Sequence, residues 1–515
     1  MVGFTEGALF FESDTLNPNP TCNTCTGTFF VKYNSNGNFI WAKSLQSVGF
    51  YADNEATSIV TDPSGGVYVS GGFVDTLILG KDKLINPRGA AYLTKYDSNG
   101  NEVWAKMPGG SGTGGGGCIS ADTKGGIYVS GDFVDTIIIG TYTLTAPGYA
   151  VFLAKYNENG VVKWVKQSKI TSSNCEGVGN ALINDNKSNT YITGYFKDTL
   201  IFGSTVLSCN DYEVFLVKYD STGNVLWAKQ GSGYGSAMGN AVTVDNFGNA
   251  YITGEFYDTV RFGKYTLTDT KKINKDFFIV KYDPKGNVIW AKSASIMDTN
   301  GWIGYAISAD MNGHLYFTAG PDGYYYTHIY LYYGTDTLTS NNIVDPSIIL
   351  ELDTAGNYMC GTILASGGDD ENGVVSDPTG KYVFMGGDLV GVRPYLFGKD
   401  TLNGNSEYPF VARWESCSTI SAGTPTIFPE RQNIILFPNP NNGVFTIQAN
   451  GYQPIANSQI EIYNMLGEKV YSHYQITNSS NYQIDLSSQP SGIYLYRVLK
   501  ESGEAIGQGK VIIQK

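Results

Sequence analysis

Apolar residues in this chain come in short, nearly unbroken runs separated by turn residues, and one stretch shows the whole pattern. Ala241-Val-Thr-Val-Asp245 is followed by Asn249-Ala-Tyr-Ile-Thr-Gly254, then Phe277-Phe-Ile-Val-Lys-Tyr-Asp283, then Asn287-Val-Ile-Trp-Ala-Lys292. Runs this short, rich in β-branched and aromatic residues and closed by Gly, Asn and Asp, predict strands. We label them a, b, c and d. The a–b link Asp245-Asn-Phe-Gly-Asn249 and the c–d link Asp283-Pro-Lys-Gly-Asn287 each carry a glycine for the positive φ that such turns require. Apolar spacing at 3.6 residues is nowhere sustained, so almost no helix is expected.

The four-strand unit recurs. The Trp of strand d falls at 41, 104, 164, 227 and 290, in steps of 63, 60, 63 and 63. The Asp that ends strand a falls at 62, 122, 185, 245, 310 and 377. A fixed period of this length with four strands per unit predicts the blades of a β-propeller rather than a solenoid, whose coils are shorter. Strands b and c occur seven times, with c ending at Tyr33, Tyr96, Tyr156, Tyr219, Tyr282, Leu352 and Trp414, whereas a and d occur six times. The fold expected is therefore all-β, a seven-bladed propeller with first and last blades incomplete in this chain. The missing d and a strands, and any signal peptide, are expected upstream of Met1. A further segment in the b–c connection, Asp258-Thr-Val-Arg-Phe-Gly-Lys-Tyr-Thr-Leu267 and its equivalents, predicts an inserted hairpin. The long b–c and d–a loops share one face, the default binding face.

The recurring Phe-Xaa-Xaa-Lys-Tyr-Asp, Gly-Asn-Val, Trp-Ala-Lys and Tyr-Ile-Thr-Gly resemble the SBBP (seven-bladed β-propeller) repeat over residues 1 to about 415. That resemblance implies a fold and says nothing of activity.

Composition narrows the class. The 515 residues include 63 Gly and 37 Tyr, only 16% are charged, and the net charge is -13. A surplus of acid excludes nucleic acid as a partner, because phosphate contacts need clustered Lys and Arg; it favours solubility outside the cell. No apolar run is long enough to span a bilayer. Met1-Val2-Gly3-Phe4 shows no signal peptide.

Residues 415–433 contain Ser-Ala-Gly-Thr-Pro-Thr and break the repeat, so the propeller is assigned to 1–414 and a linker to 415–433. From 434 to 515 short alternating runs with Pro and Gly turns predict a small β-sandwich. Phe437-Pro438-Asn439-Pro440, Tyr463-Asn-Met-Leu-Gly467 with Val470, Leu486-Ser-Ser-Gln-Pro-Ser-Gly492-Ile-Tyr494 and the Lys-ending tail resemble the type A sorting domain of the type IX secretion system of Bacteroidetes. The resemblance implies export by that machinery, docked through 434–515, to a secreted or surface-attached state. Removal of the sorting domain often accompanies this export. Such proteins also carry a signal peptide, which again points upstream of Met1.

Candidate chemistry is sparse. Cys22 and Cys25 form a CxxC without a second one or a His pair, which favours a local disulfide over zinc. Cys175, in a d–a loop, and Cys209, in the next b–c insertion, are expected on one face and within disulfide reach. Cys118 and Cys360 fall in strands and are expected to be buried thiols. Asp75, Asp135, Asp198 and Asp258 recur in every unit and are expected to form turns. The Asp-Xaa-Xaa-Gly-Asn turns lack the acidic density of a calcium loop. Gly109–Gly117 is expected to be a flexible d–a loop. With three His in the chain, a His triad or His-rich metal site is not expected, and no cofactor is implied. The sixth unit departs from its siblings with Tyr324, Tyr325, Tyr326, His328 and Tyr330, aromatic faces with polar tips suited to a sugar or protein ligand. A non-catalytic, monomeric binding module is the favoured function. A polysaccharide-acting enzyme using carboxylates of the loop face, and a structural spacer, are the alternatives.

Overall fold

The turns explain why the strands stop where they do. In the computed structural model the carboxylate of Asp245 accepts the backbone N–H of Phe247 and of Asn249, both at 2.9 Å, and Asn249 Nδ2 at 2.7 Å. Gly248 follows at φ 81°. Asp62, Asp122, Asp185, Asp310 and Asp377 close other a–b turns, and Asp97, Asp220, Asp283 and Asp353 four of the c–d turns, by the same bond to the backbone N–H four residues on. Each such carboxylate is occupied by its own turn, the economical use of Asp at a tight reversal.

The structure describes the chain except residues 1, 6–8, 12–13, 17–26, 35–37, 49–53, 116, 270–274, 297–300, 323–325, 334–335, 345, 366–372, 378, 390–393, 398–399, 404–407, 417–432, 438–440, 451–457, 465–467, 474–480 and 501–504. The described residues are all-β, without a helix. They divide into two units, Met1–Ile420 and Ser421–Lys515.

In the first, strands a to d pair in order as antiparallel sheets. The fifth repeat is Ala237–Val244, Ala250–Tyr257, Lys275–Tyr282 and Val288–Lys292; the sixth is Trp302–Ala309, Leu315–Pro321, Pro346–Leu352 and Tyr358–Ala365. The first described sheet begins at strand b, Val2–Thr5, and the last ends at strand c, Tyr408–Glu415. Strand c of the fourth repeat, Glu213–Tyr219, is buried along its whole length. Both faces of the sheet are covered, which is why the apolar runs do not alternate.

Recurring residues brace each sheet and link it to the next. Within the third repeat, Lys155 Nζ lies 3.2 Å from Asp122 Oδ2 and 4.5 Å from the centre of the Tyr128 ring. Trp104 Nε1 donates to Glu158 O at 3.1 Å, and Trp227 Nε1 to Pro284 O at 3.1 Å, each in the c–d turn of the following repeat. A Cβ added at Gly160 or Gly286 in those turns would come within about 3 Å of the indole.

The inserted b–c segment is a hairpin. In the fourth and fifth repeats it is Thr199–Phe202 with Thr205–Ser208, and Thr259–Phe262 with Tyr265–Thr268. In the second and third it continues the main strands Val67–Ile78 and Ile127–Ile139, with a register shift at Asp75 and Asp135. Asp75, Asp135, Asp198 and Asp258 have φ of 65°, 64°, 70° and 55°. They bend the chain out of the sheet in a left-handed conformation that Asp tolerates better than most residues.

Three expectations are corrected. Gly109–Gly117 is no free loop: Gly109–Gly110 and Thr113–Gly114 pair with Ile127–Ile139. A Cβ at Gly110 or Gly112 would stand 2.3 or 2.2 Å from a backbone oxygen of that strand, so only glycine permits the approach. Cys360, expected as a thiol, is disulfide-bonded. Cys175 and Cys209, expected to pair, are free. Cys175 Sγ lies 3.4 Å from the hydroxyls of Thr171 and Ser172, and Cys209 donates to Phe196 O at 3.4 Å. Each sulfur is satisfied in its own loop. Cys118 is a buried free thiol.

The second unit holds a three-stranded sheet, Asn433–Phe437, Val444–Asn450 and Asn481–Asp485, and a four-stranded one, Lys469–His473, Ser458–Tyr463, Gly492–Lys500 and Ala505–Ile513. Both contribute to one core that includes Phe445, Ile447, Ile460, Ile484 and Val511.

Candidate ligand-binding site

In the second to fifth repeats one position of strand b, between a shared Gly and a shared Phe, changes in character. The segments Tyr68–Phe73, Tyr128–Phe133, Tyr191–Phe196 and Tyr251–Phe256 agree in character except at the residue before Phe, which is Gly72, Asp132, Tyr195 and Glu255 in turn. These residues occupy the strand end where the chain leaves for the hairpin, three positions before the left-handed Asp. Gly72 and Asp132 line a cleft of about 340 Å³ between the second and third repeats. Arg88, Glu55 and Tyr149 line it too, and Gly114 and Gly115 of the paired glycine segment form part of its wall.

From this cleft a polar arc runs into the fourth repeat. Burial pushes the Asp132 carboxyl up to about 6, and the nearby Glu176 carboxylate adds to it. Glu176 opens strand a of the fourth repeat, where it is the parallel partner of Tyr149, and it accepts the Tyr212 hydroxyl at 3.0 Å. Burial, then the Glu176 and Asp132 charges, push Tyr195 up to about 12. The Tyr195 and Tyr212 rings meet edge to face at 5.5 Å, with Lys197 Nζ 5.1 Å from the Tyr212 centroid. Burial likewise raises Glu213 to about 7. In the fifth repeat Glu255 is raised by burial in spite of Lys275 at 3.1 Å, which also bridges to Asp322 at 3.2 Å. Carboxyls raised by burial, beside tyrosine edges and hydroxyls, offer acceptors and, as the pH falls, donors to a polyhydroxylated or peptide ligand.

The tyrosines singled out from the sequence belong to the sixth repeat. Tyr326, His328 and Tyr330 lie in the hairpin strand Tyr326–Tyr333 of the sixth repeat, paired with Asp336–Val344. Tyr324 and Tyr325 lie outside the described residues, as do Cys22 and Cys25. Asp132, Glu176 and Tyr195 were not singled out; aligning the strand-b segments exposes the varying position of Asp132 and Tyr195, but not Glu176, which opens strand a.

In the C-terminal unit Pro438, Asn439, Pro440 and Gly467 are outside the described residues. Gly492 opens a strand, and buried Tyr494 donates to Pro490 O at 2.9 Å. The flank of the first motif, the third motif and the C-terminal tail converge. Asn441 N donates to Ile512 O at 2.9 Å, Leu486 N to Gly443 O at 2.6 Å, and Lys515 Nζ to Gln489 O at 2.7 Å.

Residues 435–514 match the family model described as the secretion system C-terminal sorting domain. The chain is therefore exported through type IX secretion, whose machinery this tail engages, and is secreted or held at the surface. No helix among the described residues is long and apolar enough to cross a membrane. An uncharacterized WD repeat-containing protein of Acanthamoeba polyphaga mimivirus is 24% identical over 441 residues, covering 69% of this chain and 30% of the relative. The chain thus spans less than a third of that protein. Among solved structures, PorZ, a surface component of the type IX secretion system of Porphyromonas gingivalis, aligns over 95% of this chain and 63% of its own, at 12% identity and a TM-score of 0.28. Latent PorU of the same organism aligns over 71% of this chain and 31% of its own, at 14% identity and 0.15.

Proposed function

We propose that residues 1–414 close as a seven-bladed propeller of SBBP type, and that the exported protein is a non-catalytic binding module for a glycan or protein ligand. The ligand would sit in the cleft between the second and third repeats and extend along the arc of Asp132, Glu176, Tyr195 and Tyr212. The observation that carries this reading is the coincidence of cleft and irregularity: Asp132 lines the cleft and occupies the position, between a shared Gly and a shared Phe, that changes in character across the second to fifth repeats. Residues common to all repeats serve the scaffold, so a site belongs where they differ. The test is an array of glycans and surface proteins probed with the whole chain. A hit whose affinity falls at least tenfold in Asp132→Asn and in Tyr149→Ala supports the reading; hits indifferent to both changes remove this cleft from consideration.

A second reading rests on one observation. A carboxyl raised to about 6 beside a second carboxylate matches the acid of a polysaccharide-cleaving pair. Release of new reducing ends from an array hit, abolished in Asp132→Asn, would favour the enzyme; binding without release favours the module.

A further inference from the structure

The glycine device that walls the cleft is used again in the fifth repeat, with one residue changed. In the third repeat Gly110 and Gly112 lie against the two sides of the left-handed Asp135: a Cβ on either would collide with the backbone oxygen of Thr136 or Val134. In the fifth, Gly233 and Gly235 do the same at Asp258, against the oxygens of Thr259 and Tyr257. Ser232 and Gly233 pair with Arg261 and Val260, Tyr234 N donates to Thr259 O at 3.2 Å, and Tyr257 N donates to Ser236 O at 2.9 Å. The residue between the two glycines is Ser111 in the third repeat and Tyr234 in the fifth. Tyr234 is 96% exposed, on a backbone pinned at both sides. A single exposed ring means little by itself; its neighbours give this one a use.

Tyr149 and Tyr212 occupy one register position. Each directly precedes the strand-c residue that pairs with the strand-b Phe, Ala150 with Phe133 and Glu213 with Phe196. Each also meets strand a of the following repeat: Tyr149 is the parallel partner of Glu176, and Tyr212 O accepts the N–H of Ala237 at 2.9 Å. The corresponding residues are Gly89 in the second repeat and Lys275 in the fifth, so the ring at this position is particular to the third and fourth. Tyr149 lines the cleft and is 45% exposed. Tyr234 stands three residues before Ala237. Rings at Tyr149, Tyr212 and Tyr234 therefore lead from the third repeat through the fourth to the fifth.

We infer that the ligand is a linear, neutral polysaccharide laid across these three repeats, with Tyr149, Tyr212 and Tyr234 as successive ring contacts. The inference deepens the binding-module reading and rests on it. A sugar turns C–H groups toward an aromatic face and hydroxyls toward polar neighbours; Asp132 and Glu176 offer acceptors for those hydroxyls beside the first two rings. An extended peptide would instead bind by pairing its backbone with a strand edge, and the main-chain groups around Tyr234 are already paired with their own hairpin. The net charge of -13 opposes an acidic polymer. Contacts strung along one ligand act as linked sites, so affinity grows with ligand length.

The test is calorimetric titration of the whole chain with cello-, xylo- and manno-oligosaccharides graded from dimer to octamer. The expected result is that one of these series binds, its octamer at least tenfold tighter than its dimer. Tyr234→Ala should cut that ratio at least fivefold and Tyr234→Phe should keep it, because the ring and not the hydroxyl makes the contact. Equal affinity for dimer and octamer, or a ratio that survives Tyr234→Ala, overturns the extended track and leaves the cleft standing as a binding site. Tighter binding of oligogalacturonates than of any neutral series overturns the neutral class. If every series fails, the polysaccharide is overturned; a protein hit weakened by Asp132→Asn would then keep the cleft, and hits indifferent to that change would remove the underlying reading.

Discussion

Asp122 and Asp132 belong to the same repeat, yet the fold drives their carboxyls in opposite directions. Burial opposes ionisation of Asp122, but the N–H groups of Gly126 and Lys124 and the Lys155 ammonium outweigh it and hold the group below the usual carboxylate range. Its stabilising effect is present above that range and lost as the pH falls. Asp132 has burial without that compensation and is raised to about 6. Its contribution is intact in acid and lost as the pH rises from about 4 through about 6. Asp132→Asn should therefore leave the protein as stable as wild type at pH 4 and more stable by about 1–2 kcal/mol at pH 8; parallel melting curves at the two pH values check this. Lys155→Met strands a buried carboxylate and should cost about 2–3 kcal/mol at neutral pH, read from denaturant midpoints.

At the scale of elements, strands and turns were legible because each is encoded locally. Asp245 and Gly248 fix their turn with bonds no longer than the turn itself. The partners of Trp104 and Trp227 were not legible: those residues marked the period, while their bonds reach a turn in the following repeat. The glycine run was misjudged for a similar reason, because its purpose is the oxygen of a neighbouring strand and not freedom of the backbone. A pair of substitutions separates the two uses of glycine. Gly125 has φ 79° and open space where a Cβ would stand, with nothing within 4 Å, whereas Gly286 has φ 81° with the Trp227 ring at 2.9 Å. Gly125→Ala should cost about 1 kcal/mol for its left-handed backbone, and Gly286→Ala about 2–3 kcal/mol once the indole must also shift. Equal losses in thermal stability would mean that the indole contact is unimportant.

At the scale of the molecule the chain has a scaffold written in its repeats and an address written in its C-terminal unit. The address was legible outright, because its motifs are contiguous. The candidate site was not, because Asp132, Glu176 and Tyr195 come from two repeats and meet only when the sheets pack. Removal of 421–515 should leave the remaining protein inside the outer membrane, with the loss of export read by cell fractionation. The central claim is that residues shared by the repeats hold the fold while those that depart from it bind. Ligand affinity measured side by side for Lys155→Met and Asp132→Asn, on the strongest array hit at a temperature where both are folded, tests it most directly. The account predicts that Lys155→Met keeps wild-type affinity and Asp132→Asn loses at least tenfold; loss in the first with none in the second would contradict it.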